Sequence, residues 1–164
     1  MNTVTHALLP VILADVALHG KKRYGGRGLV LIGVAGALPD LLDPHLSLAA
    51  RMQSWSHGLP FWAVFSVCVL LATFLSKGRF SSGFGLLVSA AYLLHLVCDG
   101  ISGGINWLYP VSDMVWGRYW VHPLYWVPLD IVCLLVCYTL FRFLPLWEKR
   151  RRGRDVSMSR PANE

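Results

Sequence analysis

The chain has 164 residues, the length of one domain, with 55% hydrophobic residues, a mean hydropathy of +0.50 and only 15% charged residues. Soluble domains carry about 25% charged residues, so this composition excludes an ordinary water-soluble globule and points to a membrane. The net charge is +6, and its placement along the chain says more than its sum.

Five apolar runs predict five helices. "HALLPVILADVAL" (6–18) and "GLVLIGVAGALP" (28–39) are short for a bilayer, which takes about 20 residues. They read as short spans or as helices shielded by the others, and the small residues of "GVAGALP" permit close helix packing. "LPFWAVFSVCVLLATFLS" (59–76) carries no formal charge, and "GFGLLVSAAYLLHLVC" (83–98) is apolar apart from His95. "LYWVPLDIVCLLVCYTLFRFLPLW" (124–147) holds Asp130 and Arg142 near its two ends. The fold class expected is all-α: a polytopic membrane helical bundle of about five helices over residues 1–152. A disordered basic and polar tail is expected over 153–164. Cys68, Cys98, Cys133 and Cys137 all lie in apolar runs and read as small buried hydrophobes rather than a disulfide framework.

The basic residues fix an orientation. Nothing basic precedes the first run and "HGKKRYGGR" follows it, the reverse of a signal peptide, so the segment is retained with its N-terminus outward. Lys21, Lys22, Arg23 and Arg27 then share one side with Lys77 and Arg79 and with the cluster Lys149 to Arg154. The positive-inside rule makes that side cytoplasmic, and the C-terminus with it. The opposite side holds only Arg51 and Arg118, but also Asp40, Asp43, Asp99 and Asp113 and five of the six histidines. In a bacterium this is a multi-pass protein of the inner cell membrane. Its polybasic tail would meet anionic lipid, which accounts for it better than nucleic acid does.

His95 and Asp99 are four residues apart, on one helical face. Alone, such a pair is more often a structural hydrogen bond than a ligand site. Every other helix, however, brings imidazole or carboxylate to the same end: His6, then Asp40, Asp43 and His45, then His57, then His122 and Asp130. Imidazole and carboxylate are the ligands of zinc and similar divalent ions. Converging carboxylates repel unless a cation sits among them, so a metal site is the favoured reading.

The segments "TH", "LPDLLDP", "SWSHGLP", "LLHLVCDGIS" and "WLYP" in this order resemble the bacterial membrane-bound metal-dependent hydrolase family, which includes YdjM-like inner-membrane proteins. The resemblance covers residues 5–130. That family is in turn distantly similar to zinc-dependent phospholipase C and the zinc nucleases, all-helical phosphoesterases. It implies ligand roles for His6, Asp40, His57, His95 and Asp99. The chain departs from the family pattern twice: "MQSWSHGLP" keeps one histidine of a fuller motif, and Asp43 stands one residue late. Asp40 and Asp43 are therefore both open as ligands, and the site holds one to three ions.

The function expected is metal-dependent hydrolysis, most simply of a phosphoester, with divalent metal, zinc first, lowering the pKa of bound water from 15.7 to about 7. Asp43 or Asp130 would serve as general base or would orient a ligand. Arg118 is the candidate contact for a phosphate oxygen. His122 is a second candidate contact, and His45 and His122 read equally as ligands or plain surface groups. The loop 105–126 holds four of the seven tryptophans, which suits anchoring at the headgroup level. A lipid or lipid-linked phosphate is thus the expected substrate, with membrane lipids as partners. The rival is a non-catalytic protein that binds or moves metal. Transport would need polar groups continuing inward, where only Asp15 and His19 offer themselves. A third reading is an adaptor whose cytoplasmic tail recruits a partner.

Overall fold

The computed structural model describes residues 2–18, 24–44, 48–78 and 80–158. The helices are α1 (Thr3–Ala17), α2 (Gly26–Leu42), the short α3 (Leu48–Met52), α4 (Leu59–Leu75) and α5 (Ser82–Ile101). A two-stranded antiparallel clasp follows, β1 (Ile105–Asn106) against β2 (Val115–Trp116). Then α6 (Trp126–Tyr138) continues through a π turn over Thr139–Phe143 into α7 (Leu144–Met158). The chain is all-α, and each of the five apolar runs forms a helix.

The helix ends differ from the apolar runs for local reasons. α1 begins at Thr3 because a carboxylate from α6 receives its first turn. The Thr5 N–H and hydroxyl reach Asp130 Oδ1 at 2.9 and 2.5 Å, and Asn2 Nδ2 reaches Oδ2 at 2.6 Å. The first N–H groups of a helix have no partner within it, and an anion there also meets the positive end of the helix dipole. α2 does not stop at Pro39, as its apolar run does. Pro39 removes a single N–H, and the helix runs on to Leu42 with the Asp43 N–H on Pro39 O at 3.3 Å. Asp40 therefore stands in the last helical turn instead of beyond it. At the other end of the chain the helical backbone continues through Met158, past the boundary that composition draws at residue 152, and residues 159–164 lie outside the described part.

Two helical stretches are long and apolar enough to cross a membrane, Ser82–Ile101 and the continuous Pro123–Arg152. The apolar helices Thr3–Ala17 and Leu59–Leu75 are shorter. At about 1.5 Å per residue the 15 residues of α1 reach roughly 22 Å, less than the ~30 Å hydrocarbon core.

Around α5 pack α1, α2 and α4, and α6 lies against α1. One apolar cluster joins Ala14, Ile32, Ala35, Phe84 and Ala91, and a second joins Tyr92, Leu96 and Ile105. α1 and α2 approach closely at Gly36, where a Cβ would lie 2.3 Å from the His6 carbonyl oxygen. Pro10 has no N–H to give that carbonyl, so it is open to the Cα of Gly36. Phe74 on α4 and Val127, Ile131 and Leu135 on α6 are exposed, an apolar surface larger than water-facing helices present.

Candidate metal centre

Three elements meet at one end of α5. That helix supplies His95 and Asp99, α2 supplies Asp40 from its last turn, and the 3-10 turn Trp55–His57 supplies His57. One donor atom from each lies within 4.8 Å of the other three. His57, His95 and Asp99 are each only 1% exposed, whereas the Asp40 side chain keeps 17% of its surface open.

Each side chain uses one polar atom as an anchor and turns the other to the centre. His95 Nδ1 lies 2.7 Å from Gly36 O. A carbonyl only accepts, so Nδ1 carries the proton and Nε2 is left as an acceptor. Ser56 Oγ donates to Pro39 O at 2.8 Å and lies 3.0 Å from Ser54 Oγ. With the Ser56 hydrogen on Pro39 O, the Ser54 hydrogen can go to Ser56 Oγ or to His57 Nδ1, and its donation to Ser56 is the arrangement that suits a metal-binding His57. His57 Nδ1, 2.9 Å from Ser54 Oγ and 3.1 Å from Ser56 Oγ, is then satisfied as a donor, which again leaves Nε2 as an acceptor. Asp40 Oδ2 takes the Thr3 hydroxyl at 2.6 Å. Asp99 Oδ1 takes Arg51 Nη1 at 2.8 Å and His6 Nε2 at 3.1 Å.

The atoms turned inward are all acceptors. His57 Nε2 and His95 Nε2 stand 3.2 Å apart. Asp40 Oδ1 is 3.3 Å from the first and 3.5 Å from the second, and Asp99 Oδ2 is 3.6 and 3.3 Å from them. Four acceptors so placed repel one another until a cation enters. Zinc bonds of about 2.0–2.1 Å in a tetrahedron imply ligand-to-ligand edges of about 3.3–3.4 Å, the range these contacts straddle. The donor set thus fits a divalent ion on both chemistry and spacing. Burial holds the His57 pKa below its ordinary value, loss of hydration outweighing the pull of the Asp40 carboxylate. The ring is neutral at neutral pH, the form that ligates metal.

The other expected residues fall into two groups. His6 is buried beside the centre, stacked on His95 with ring centroids 3.8 Å apart, but its Nε2 meets Asp99 Oδ1 rather than the four-atom cage. Asp43 is the half-exposed C-cap of α2, so of the two aspartates it is Asp40 that joins the cage. Asp130 serves the first turn of α1. Arg118 is exposed beside Trp116 and Trp120, its N–H on Gly100 O at 3.1 Å. His122 is exposed and caps the turn Pro123–Tyr125, its Nδ1 taking the Leu124 N–H at 3.3 Å. His19 and His45 lie outside the described residues.

Sequence reasoning missed Arg51 as a member of the site. It is 3% exposed, and beyond Asp99 Oδ1 its Nη2 donates to Gly104 O at 3.0 Å. Its signal was available: it is one of only two cations on the acidic side of the charge map. It also missed Ser54 and Ser56, although "SWSHG" sets both within three residues of His57.

Residues 1–157 match the family model described as YdjM inner membrane protein. No curated protein and no solved structure matches the chain.

Proposed function

We propose that this chain, which belongs to the YdjM inner membrane protein family, holds divalent metal, zinc first, at Asp40, His57, His95 and Asp99 and hydrolyses a phosphoester there. The observation that carries the metal reading is the pair of imidazole Nε2 acceptors 3.2 Å apart among carboxylate oxygens. A divalent ion in that place supplies water of lowered pKa, near 7, and draws charge from a phosphoester oxygen.

The residues of the chain divide the remaining work. Asp40 has the open edge, so water and substrate approach along Asp40 and the Thr3 hydroxyl that steadies it. Asp43, three residues on at the half-exposed C-cap of α2, is the carboxylate we assign as general base, for its nearness to the open edge at Asp40. Arg118 and His122 belong to the loop stitched to the end of α5 and are assigned to a phosphate group of the substrate. The exposed Trp116, Trp120 and Tyr125 around them suit headgroup depth, which favours a lipid or lipid-linked phosphate over nucleic acid. The orientation we propose is multi-pass, N-terminus outside and C-terminus cytoplasmic, because the three basic clusters then share one side.

A second reading has an observation of its own. Four protein donors complete a tetrahedron, and structural zinc sites are closed whereas catalytic ones keep a position open. On that reading the ion staples α2, α5 and the His57 turn together without catalysis. The experiment separates the two: purify the protein in detergent, measure metal by elemental analysis, and repeat with His95→Ala and Asp99→Ala. Metal near stoichiometry in the native chain and lost in both variants is expected. Full occupancy in both variants contradicts the site. Metal-dependent phosphate release from a panel of lipid phosphates supports the hydrolase, and bound metal without release supports the staple.

A further inference from the structure

We propose that Arg51 is a built-in cation that occupies the second face of the Asp99 carboxylate and so limits the centre to one metal ion. The proposal rests on the metal reading above and settles the ion count that the sequence leaves between one and three. Sites with two ions about 3.5–4 Å apart need more ligand atoms than one cage of four, and a carboxylate that gives one oxygen to each ion is an economical way to supply them. Asp99 is the residue placed for it, being buried between two groups of nitrogen donors. Oδ2 faces the cage, 3.3 Å from His95 Nε2 and 3.6 Å from His57 Nε2. Oδ1 faces the other way, toward His6 Nε2 at 3.1 Å and Arg51 Nη1 at 2.8 Å.

The guanidinium therefore stands where a second ion would share Asp99 with His6. It is fixed there from several sides. Its Nη2 donates to Gly104 O at 3.0 Å and reaches Asp99 O at 3.5 Å. The chain after α5 folds over it through Gly103 and Gly104, both at positive φ, and a Cβ on Gly103 would come 3.1 Å from Nη2. A buried arginine stays charged, so the positive charge is permanent, unlike that of an exchangeable ion.

His6 carries the trace of the arrangement. Its Nε2 gives its proton to Asp99 Oδ1, and its Nδ1 is buried with no hydrogen-bond partner among the described residues. Such an orphan acceptor is uncommon in a folded interior. The nitrogen a second ion would use is Nε2, which faces Asp99 Oδ1; its proton would pass to the unpartnered Nδ1, which has the acceptor capacity to take it.

The test counts ions. Strip the purified protein of metal, dialyse against excess zinc, remove loosely held ion, and determine zinc per chain by elemental analysis for the native protein, Arg51→Met and Arg51→Lys. Helical circular dichroism checks folding. The expected result is one ion in the native chain, a rise toward two in Arg51→Met, and one in Arg51→Lys, where the charge is kept. Two or more ions in the native chain overturn the proposal and leave the metal reading standing. No ion in the native chain overturns both. An unchanged count of one in folded Arg51→Met overturns the role of Arg51. If Arg51→Met loses its helical signal, Arg51→Lys decides: one ion supports the proposal and two overturn it.

Discussion

α5 and the continuous stretch Pro123–Arg152 that contains α6 pass the same test of length and apolarity, yet they do opposite jobs. Of the apolar stretch of α5, 61% is buried inside the protein, against 6% for the stretch from Pro123 to Arg152. Each carries aspartate near the same end of the bundle. Asp99 on α5 is enclosed with three imidazoles, a guanidinium and a second carboxylate, and its Oδ2 faces a gap made of acceptors. Asp130 on α6 meets, among the described residues, hydrogen-bond donors: the N–H and hydroxyl of Thr5 and the amide of Asn2. A carboxylate surrounded by donors is complete as it stands and holds structure. A carboxylate turned toward other acceptors is incomplete until a cation arrives. The difference lies in the partner atoms rather than in the residue type or its depth.

Substitution should separate the two helices. Asp99→Ala is expected to be the most damaging change, because it removes a ligand and leaves Arg51 buried without its carboxylate. Breaking a buried ion pair from one side costs about 3–5 kcal/mol, to be read from thermal unfolding in detergent, and metal content should fall to background. Gly36→Ala should follow. Its Cβ would meet His6 O at 2.3 Å, which forces α1 and α2 apart, and overpacking of this kind costs about 1–3 kcal/mol. Gly36 O also orients His95, so zinc affinity should drop by about 10–100-fold, the usual cost of disturbing a ligand's support; equilibrium dialysis reads it. Asp130→Asn should cost about 1 kcal/mol, as lost helix caps do, while metal content stays at the native value. A loss of metal there equal to that of Asp99→Ala would erase the contrast between the helices. Leu134→Ala, on the exposed face of α6, should change stability by less than about 0.5 kcal/mol.

Much of the site was legible in the sequence because helical spacing is local. His95 and Asp99 at i and i+4 need no tertiary knowledge to share a face, and the charge map brings His57 and Asp40 to the same end. The choice between Asp40 and Asp43 was not legible, since it depends on α2 continuing past Pro39, which a proline in an apolar run does not announce. The offices of Arg51 and Asp130 were equally hidden. Both depend on contacts between residues far apart in sequence, Arg51 with Asp99 and Asp130 with Thr5, and chemistry alone makes either residue look suited to catalysis. Helix length was the other limit: all five apolar runs form helices, but among the described residues only α5 and the stretch from Pro123 to Arg152 are long enough to span by length and composition.

The central claim is a metal ion held by two imidazole nitrogens and two carboxylate oxygens, and X-ray absorption at the metal edge of the zinc-loaded protein tests it most directly. The account predicts a first shell of nitrogen and oxygen alone at about 2.0–2.2 Å, with the multiple-scattering signature of two imidazoles, and loss of one imidazole in His57→Ala. A shell containing sulfur at about 2.3 Å, placing the ion at the cysteines, or a shell without imidazole, would contradict it.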